Sequence, residues 1–104
     1  MEVIPVCVSN NLKKAGLKLE DLSFFDVNEA FAVQMLANIK VLGYDPSKVN
    51  VWGGSISLGH PTGFTGTRCI INAISQMRQL GGRYALAGSC GGGGLAGCVI
   101  VKNE

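Results

Sequence analysis

Three side chains that could take part in chemistry lie in short motifs, and each motif is predicted to follow a β-strand. Asn28 begins an Asn-Glu-Ala-Phe segment, His60 lies in a Gly-His-Pro segment, and Cys90 precedes a run of four glycines. Ligands of open α/β sheets bind at the carboxyl ends of the strands. The sequence therefore predicts a functional site built from these motifs at one end of a sheet.

The chemistry open to these residues is acid–base or nucleophilic catalysis. A cysteine thiol has a pKa near neutrality that its surroundings can shift, so Cys90 could act as a nucleophile or as an acid–base group. The glycines after it would leave backbone N–H groups bare, and such groups can form an oxyanion hole. His60 is the only histidine, and Pro61 and the nearby glycines would hold its backbone still.

A simpler structural interpretation of each motif stays open at this point. Asn28 could be the N-cap of the helix that follows, with its side chain accepting a backbone N–H. His60 could be a structural histidine, and Cys90 could be a buried cysteine in front of a hairpin turn. The other cysteines, at positions 7, 69 and 98, are predicted to be small buried hydrophobic residues.

Two other known motifs match parts of the same sequence, and the elements predicted around them exclude both. Gly92, Gly94 and Gly97 match the spacing of a dinucleotide-binding loop, which requires a following helix and an acidic residue about twenty positions later. Cys90, with a glycine two residues away on each side, matches a nucleophile elbow, which requires a strand–turn–helix and a later histidine. Here a strand is predicted after the glycines and His60 comes earlier, so neither motif is expected to function.

The alternation of apolar patterns and turn residues predicts a single α/β domain over residues 1–104. The predicted elements are helices at 6–15, 29–42 and 65–80 and strands at 22–27, 49–52, 84–89 and 95–101. This order favours a mixed, mostly parallel sheet flanked by helices. The last two strands are joined by a tight turn and should be antiparallel. The helix at 29–42 is apolar on most sides and is predicted to be largely buried, and the Gly-rich segment 53–66 is predicted to be a loop.

Composition narrows the classes of protein to which the chain could belong. Hydrophobic residues make up 47% of the 104 residues and charged residues only 15%, so we expect another domain or subunit to cover part of the apolar surface. The net charge of +2, without a basic stripe, argues against nucleic-acid binding. No apolar run is long enough for a membrane span, no metal site is expected, and no signal peptide is recognisable. A cytoplasmic location is the default expectation.

Taken together, the motifs resemble the C-terminal half of the thiolase family. The resemblance rests on residues 28–31, on the Gly-rich segment 53–68 that contains Gly-His-Pro, and on Cys90 with its glycines. It extends from about Pro5 to the end of the chain. Members of this family perform Claisen condensation or thiolytic cleavage of 3-ketoacyl-CoA, which forms or breaks a carbon–carbon bond between two acyl units.

The resemblance implies a role for each candidate catalytic residue. His60 would activate a cysteine that belongs to the N-terminal half of the enzyme. Asn28 would hold a water that helps His60 to bind a thioester oxygen. Cys90 would move protons to and from the substrate α-carbon, and the Gly92 N–H would contribute to a second oxyanion hole.

The resemblance also implies partners. Coenzyme A and acyl-CoA would bind as substrates, with Phe31 and Gly59 among the substrate-binding residues, and no separate cofactor would be required. The N-terminal half or subunit would supply the acylated cysteine, and the intact enzyme would be a homo-oligomer. The chain alone is therefore expected to be inactive.

Two positions depart from the family pattern. Gly91 stands where a bulky aliphatic residue is usual, and Leu95-Ala96 stands where Gln or Met precedes a glycine. Two alternatives to the enzyme stay open. The first is a non-catalytic thiolase-like module that binds a partner or acts as a scaffold, and the second is a small redox or metal protein that uses Cys90 and Cys98.

Overall fold

The computed structural model of the chain describes residues 3–104 and has the predicted α/β fold. Within these residues three strands form one sheet, with helices on both of its faces. The helices are α1 (Val3–Ala15), α2 (Ala32–Leu42), α3 (Ser55–Leu58) and α4 (Thr65–Leu80). The strands are β1 (Phe24–Val27), β2 (Tyr84–Gly91) and β3 (Leu95–Lys102). Helix α4 has the bounds that its apolar pattern predicted.

The sheet has the order β1-β2-β3 and is mixed, as predicted. β1 and β2 run parallel, with Val27 opposite Gly88 near their carboxyl ends. β2 and β3 run antiparallel, as expected for two strands that only the short turn Gly92–Gly94 separates. The prediction that the last two strands are antiparallel is therefore confirmed.

The strand predicted at 49–52 is wrong. Val49 makes a single parallel bridge to Phe25, and the chain then turns at Asn50, whose φ of 46° lies in the left-handed region. The Asn50 side chain takes the place of further strand pairing, since its Oδ1 accepts from the Val27 N–H at 2.8 Å and its Nδ2 donates to the Val27 carbonyl at 2.9 Å. Asparagine tolerates a positive φ better than most residues, so this one residue ends the strand.

Apolar side chains pack on both faces of the sheet. On one face, α1 packs through Ile4, Val8 and Leu12. On the other face, α4 packs through Cys69, Ala73 and Met77. Both sets repeat every four residues, the spacing that places side chains on one side of a helix. The sheet is therefore held between α1 and α4.

Helix α2 departs from the prediction that it would be largely buried. The side that carries Met35 is buried, whereas Val33, Leu36 and Val41 are each more than half exposed. The reason is that only one side of α2 finds a packing partner within residues 3–104. An exposed apolar helix side agrees with the expectation, from composition, that another domain or subunit covers part of the surface.

Of the three cysteines predicted to be buried, Cys69 is buried, whereas Cys7 and Cys98 are only half-buried. Cys69 is 2% exposed, and burial raises the pKa of its thiol to about 12. Cys98 is half-buried on β3, and burial, followed by its contact with Cys7, raises the pKa of the Cys98 thiol well above its usual range. Both are therefore neutral thiols at physiological pH, whereas a nucleophile must ionise.

Asp26 is a buried carboxyl group on β1, and only 2% of it is exposed. Gln76 on α4 donates from its Nε2 to Asp26 Oδ2 at 3.3 Å. Burial raises the pKa of Asp26, and hydrogen bonds from Cys69, Gln76 and Asn72 oppose that shift only in part. The folded protein therefore keeps the Asp26 proton to a higher pH than the unfolded chain does.

We expect Asp26→Asn to stabilise the fold, relative to the unsubstituted chain, increasingly as pH rises. Between the ordinary aspartate pKa of 3.8 and the raised value in the fold, the folded state binds more protons than the unfolded state. The free energy of unfolding of the unsubstituted chain therefore falls as pH rises through this window, whereas asparagine has no proton to lose and still offers Gln76 an acceptor. Urea unfolding of both proteins from pH 4 to pH 8 tests this. A stability difference that stays constant or shrinks as pH rises would contradict it.

Candidate active site

Asn28 lies directly after β1, at the end of the sheet where β2 also ends. Its backbone N–H donates to the Gly88 carbonyl at 2.8 Å, which ties Asn28 to β2 two residues before Cys90. Asn28 is 2% exposed. Parallel pairing therefore places the first and third motifs at the same end of the sheet.

The side chain of Asn28 does not cap a helix. Helix α2 begins four residues later, and the N–H groups of Ala30 and Phe31 donate to Gln34 Oε1 at 3.1 and 3.4 Å. Asn28 Oδ1 instead accepts a short hydrogen bond of 2.5 Å from the Ser55 hydroxyl. The interpretation of Asn28 as an N-cap is therefore wrong, and its side chain is directed to the Gly-rich segment.

The Gly-rich segment, predicted to be a loop, contains the short helix α3. A helix of four residues is too short to produce a periodic apolar pattern, so the sequence did not predict it. Gly59 ends α3 with a φ of 89°, which favours glycine, and its N–H donates to the Ser55 carbonyl at 2.9 Å. His60 follows directly and is exposed.

The ring of His60 is held from one side by Thr65. Their Nδ1 and Oγ1 atoms are 2.7 Å apart, and Thr65 Oγ1 donates its single proton to the Pro61 carbonyl at 3.0 Å. With the hydroxyl proton on the Pro61 carbonyl, Oγ1 accepts from the histidine, and in this arrangement Nδ1 carries the proton of the neutral ring. This leaves Nε2 as an unprotonated nitrogen that can act as a base.

Glu29 connects the first motif to α3. Its Oε1 accepts from the Ile56 N–H at 3.3 Å, one of the N–H groups in the first turn that have no partner within the helix. Gly54 lies directly before α3, and a Cβ at this position would overlap the Glu29 carboxylate. A side chain at position 54 would therefore require the Glu29 carboxylate to move away from the Ile56 N–H.

We expect Gly54→Ala to destabilise the fold by about 0.5–1.5 kcal/mol, the usual net contribution of one hydrogen bond. The added methyl group would displace Glu29 and leave the Ile56 N–H without its partner. Urea unfolding gives the free energy, and the matched control is Gly63→Ala, because a Cβ at Gly63 meets nothing within 4 Å. The control should change stability by less than about 0.5 kcal/mol. Equal effects of the two substitutions would contradict the packing described.

Cys90 is half-buried near the end of β2 and opens onto a cavity of about 180 Å³. The walls are mainly apolar and include Ile4, Phe31 and Leu95. Phe31 is 67% exposed and lines the same space as the thiol. The cavity therefore combines one ionisable group with apolar walls, the usual character of a small-molecule site.

Gly92 begins the turn between β2 and β3 and is exposed. A Cβ at this position would meet no atom within 4 Å, so the backbone is bare on that side. Gly93 and Gly94 have φ values of 72° and 79°, which only glycine adopts without strain. The turn leads into β3, which confirms the strand expected there and the rejection of the dinucleotide loop and the nucleophile elbow.

Arg68 and Ser55 join the first two motifs. Arg68 donates from Nη1 to the Gly59 carbonyl and from Nη2 to the Ser55 hydroxyl, both at 2.9 Å. Ser55 in turn donates to Asn28 Oδ1. A continuous set of hydrogen bonds therefore runs from the residue before His60 to the Asn28 amide.

The candidate residues thus form two groups. Asn28 and the Gly59-His60 segment are joined by the Arg68 and Ser55 hydrogen bonds, whereas Cys90 and Phe31 share the cavity. In the described part of the chain, no hydrogen bond connects His60 with Cys90. The residues that sequence reasoning did not assign to the site are Ser55, Thr65 and Arg68. Their position in the Gly-rich segment 53–66, or directly after it for Arg68, was the only signal, because a sequence pattern does not show which groups their side chains bond.

The part of the chain that the structure describes supports neither a metal site nor a membrane-spanning helix. Over residues 3–104, no group of three or more His, Cys, Asp or Glu side chains could hold a metal ion. Over the same residues, no helix has the length and apolar character needed to cross a bilayer.

Comparison with known proteins gives close matches in sequence and in structure. Residues 1–103 match the family described as Thiolase, C-terminal domain. The chain is 48% identical to the mitochondrial 3-ketoacyl-CoA thiolase of Rattus norvegicus over 99% of its own length and 26% of the relative. It is 50% identical to the mitochondrial acetyl-CoA acetyltransferase of the same organism over 88% of its length and 21% of that relative.

Solved structures give the same result. The crystal structure of human mitochondrial 3-ketoacyl-CoA thiolase in complex with CoA matches with a TM-score of 0.90 and 46% identity, over 93% of this chain and 25% of that one. The Bacillus anthracis acetyl-CoA acetyltransferase matches with a TM-score of 0.88 and 38% identity, over 91% and 24%. The chain therefore spans about a quarter of the length of the relatives that it matches.

These relatives correct the expected location. A cytoplasmic location was expected only because no targeting segment was recognisable. Both Rattus norvegicus relatives, and the 3-ketoacyl-CoA thiolase of Bos taurus, are named as mitochondrial proteins. The cytoplasmic expectation is therefore wrong.

Proposed function

Because the chain belongs to the thiolase family, whose C-terminal domain it matches along almost its whole length, we propose that it is the C-terminal catalytic part of an acyl-CoA C-acyltransferase. The observation that carries the proposal is the meeting of the motifs at one end of the sheet. Asn28 is bonded to the Gly-rich segment that bears His60, and to β2 just before Cys90. In this proposal the chain supplies half of a site, and an N-terminal half supplies the cysteine that becomes acylated.

The first proposed step is acylation of that cysteine. His60 Nε2, unprotonated in the neutral ring because Nδ1 donates to Thr65, takes the proton of the thiol. The thiolate attacks the thioester carbonyl of acyl-CoA, the C–S bond to coenzyme A breaks, and the CoA thiolate takes the proton back from His60. A base within hydrogen-bond reach is what activates a thiol for this chemistry.

The second proposed role of His60, which it shares with Asn28, is to bind a thioester oxygen. While His60 holds a second proton, Nε2 can donate to that oxygen and Nδ1 can stay bonded to Thr65. Asn28 Oδ1 is occupied by Ser55, so Asn28 Nδ2 is the donor that remains, and it can hold a water beside the thioester oxygen. Donors fixed in position before charge develops contribute strongly to catalysis.

The third proposed step belongs to Cys90 and the glycine turn. The Cys90 thiolate removes a proton from the α-carbon of a second acyl-CoA, and the Gly92 N–H stabilises the enolate oxygen. The α-carbon then attacks the acyl carbonyl on the first cysteine, the C–S bond to that cysteine breaks as 3-ketoacyl-CoA forms, and the released cysteine thiolate takes the proton from Cys90. Thiolytic cleavage is the same sequence reversed. The apolar cavity that Cys90 shares with Phe31 supports a substrate next to the thiol.

Coenzyme A and acyl-CoA are the substrates in this proposal, and no further cofactor is needed. The exposed apolar side of α2, with Val33, Leu36 and Val41, supports a contact with the N-terminal half or with a second subunit of a homo-oligomer. The relatives that the chain resembles favour a mitochondrial location.

The proposal is tested in a fused enzyme, in which this chain replaces the matching quarter of the Rattus norvegicus 3-ketoacyl-CoA thiolase. Thiolysis of acetoacetyl-CoA is followed by loss of its enolate absorbance. We expect turnover by the fused enzyme and none by the chain alone or by the truncated relative. A fused enzyme that folds and binds coenzyme A but does not turn over would favour the alternative of a non-catalytic module.

A further inference from the structure

We infer that Arg68 is a positioning residue that holds both oxygen-binding donors of the site, Asn28 through the Ser55 hydroxyl and His60 through the Gly59 carbonyl. The inference rests on the proposed function, because it concerns how that site is aligned. Arg68 is not proposed to touch the substrate.

The two arms of one guanidinium reach two separate parts of the site. Nη1 donates to the Gly59 carbonyl and Nη2 donates to Ser55 Oγ, both at 2.9 Å. The planar guanidinium holds its N–H groups in a fixed fork, so the two acceptors are fixed relative to each other. Arg68 lies in α4, which Cys69, Ala73 and Met77 anchor to the sheet. The fork is therefore mounted on a rigid element.

The direction of each hydrogen bond follows from which groups can accept. A guanidinium has only donors, so Ser55 Oγ must accept from Arg68. The single Ser55 proton is then free to go to Asn28 Oδ1, and the distance of 2.5 Å indicates a short bond. Arg68 therefore decides, through Ser55, which end of the Asn28 amide faces the hydroxyl. The Nδ2 end is left as the donor for a water.

The second arm acts on the peptide that carries His60. Gly59 adopts a φ of 89° at the end of α3, and because glycine has many other conformations open to it, the adjoining peptide needs a partner to hold it in place. Holding its carbonyl fixes the start of the segment in which Thr65 holds the imidazole. Asn28 follows β1, whereas His60 lies just after α3. Arg68 connects these two parts of the fold, because it hydrogen-bonds to Ser55, which bonds Asn28, and to the Gly59 carbonyl.

Four variants separate positioning from simple support of the fold. Ser55→Ala removes only the arm to Asn28, and Ser55→Thr restores a hydroxyl at that place. Arg68→Lys keeps the charge but offers a point donor instead of a fork, so it should behave like a loss of one arm or both. The control is Arg78→Ala, which removes an exposed arginine from the last turn of the same helix.

The first readout is independent of catalysis. With the chain labelled at asparagine with ¹⁵N, the two Nδ2 protons of Asn28 should give separate, slowly exchanging NMR signals. We expect their chemical shifts to move to the values of a free amide, and their exchange with water to quicken, in Ser55→Ala and Arg68→Lys, and both to stay unchanged in Ser55→Thr and Arg78→Ala. Unchanged Asn28 signals in both Ser55→Ala and Arg68→Lys would overturn the inference.

The second readout uses the fused enzyme. Misplacing a catalytic group by about 1 Å can cost about 100-fold in rate, so Ser55→Ala and Arg68→Lys should lower kcat by roughly 10- to 100-fold with KM for coenzyme A nearly unchanged. Ser55→Thr should restore most of the rate. A raised KM with unchanged kcat would overturn the inference. If the fused enzyme without substitutions is inactive, the proposed function fails, and the Asn28 signals still decide the role of Arg68.

Discussion

Cys90→Ala in the fused enzyme is expected to lower turnover by about 10²–10⁴-fold, the range that a positioned proton-transfer group contributes. The loss should fall on one step only. Cys90 is proposed to take the α-proton, whereas the thiol that becomes acylated belongs to the N-terminal half. The variant should therefore still release one equivalent of coenzyme A from acetyl-CoA and then stop.

The step-specific measurement for Cys90→Ala is exchange of the acetyl-CoA methyl protons with deuterium in D₂O, followed by mass spectrometry. We expect this exchange to disappear in the variant. Cys7→Ala is the matched control, since Cys7 is a half-buried cysteine on α1 with no proposed role, and it should exchange at the rate of the fused enzyme. Exchange in Cys90→Ala at that same rate would assign the α-proton to another base.

His60→Ala is expected to lower turnover by about 10²–10⁴-fold as well, but at the earlier step. Without Nε2 the thiol of the N-terminal half has no base, so the single equivalent of coenzyme A should not be released. His60 is exposed and is held by Thr65 on one ring nitrogen only, so its removal should leave the fold intact. Urea unfolding serves as that control.

Cys90→Ala and His60→Ala are expected to stop the reaction at different steps, and this difference distinguishes the roles proposed for the two residues. Rapid mixing with acetyl-CoA should give a burst of coenzyme A in Cys90→Ala and none in His60→Ala. A full burst in His60→Ala would show that another group activates the nucleophile. The roles proposed for the two residues would then have to be exchanged or abandoned.

The parts of the fold that were predicted correctly depend on local chemistry. Helix α4 has a regular apolar side and glycines after its last turn, and its bounds were predicted as observed. The antiparallel pairing of β2 and β3 follows from the short glycine turn between them. The place of Asn28 and Cys90 at one end of the sheet follows from parallel pairing once the strands are known.

The parts that were not predicted depend on partners distant in sequence. Val49 to Trp52 has the composition of a strand, but the Asn50 side chain pairs with Val27 and ends it. The apolar composition of α2 predicted a largely buried helix, but Val33, Leu36 and Val41 are exposed, because nothing within residues 3–104 packs against that side. The hydrogen bond from Ser55 to Asn28 spans 27 positions, and no local pattern marks such a pair.

The position of the acyl group tests the proposed division of the site between the two halves most directly. The fused enzyme is incubated with acetyl-CoA, quenched in acid and digested, and the acetylated cysteine is located by mass spectrometry. We expect the acetyl group on a cysteine of the N-terminal half, with Cys90 unmodified. An acetyl group on Cys90 would contradict this expectation, because Cys90 would then be the nucleophile and the division of the site between the two halves would be wrong.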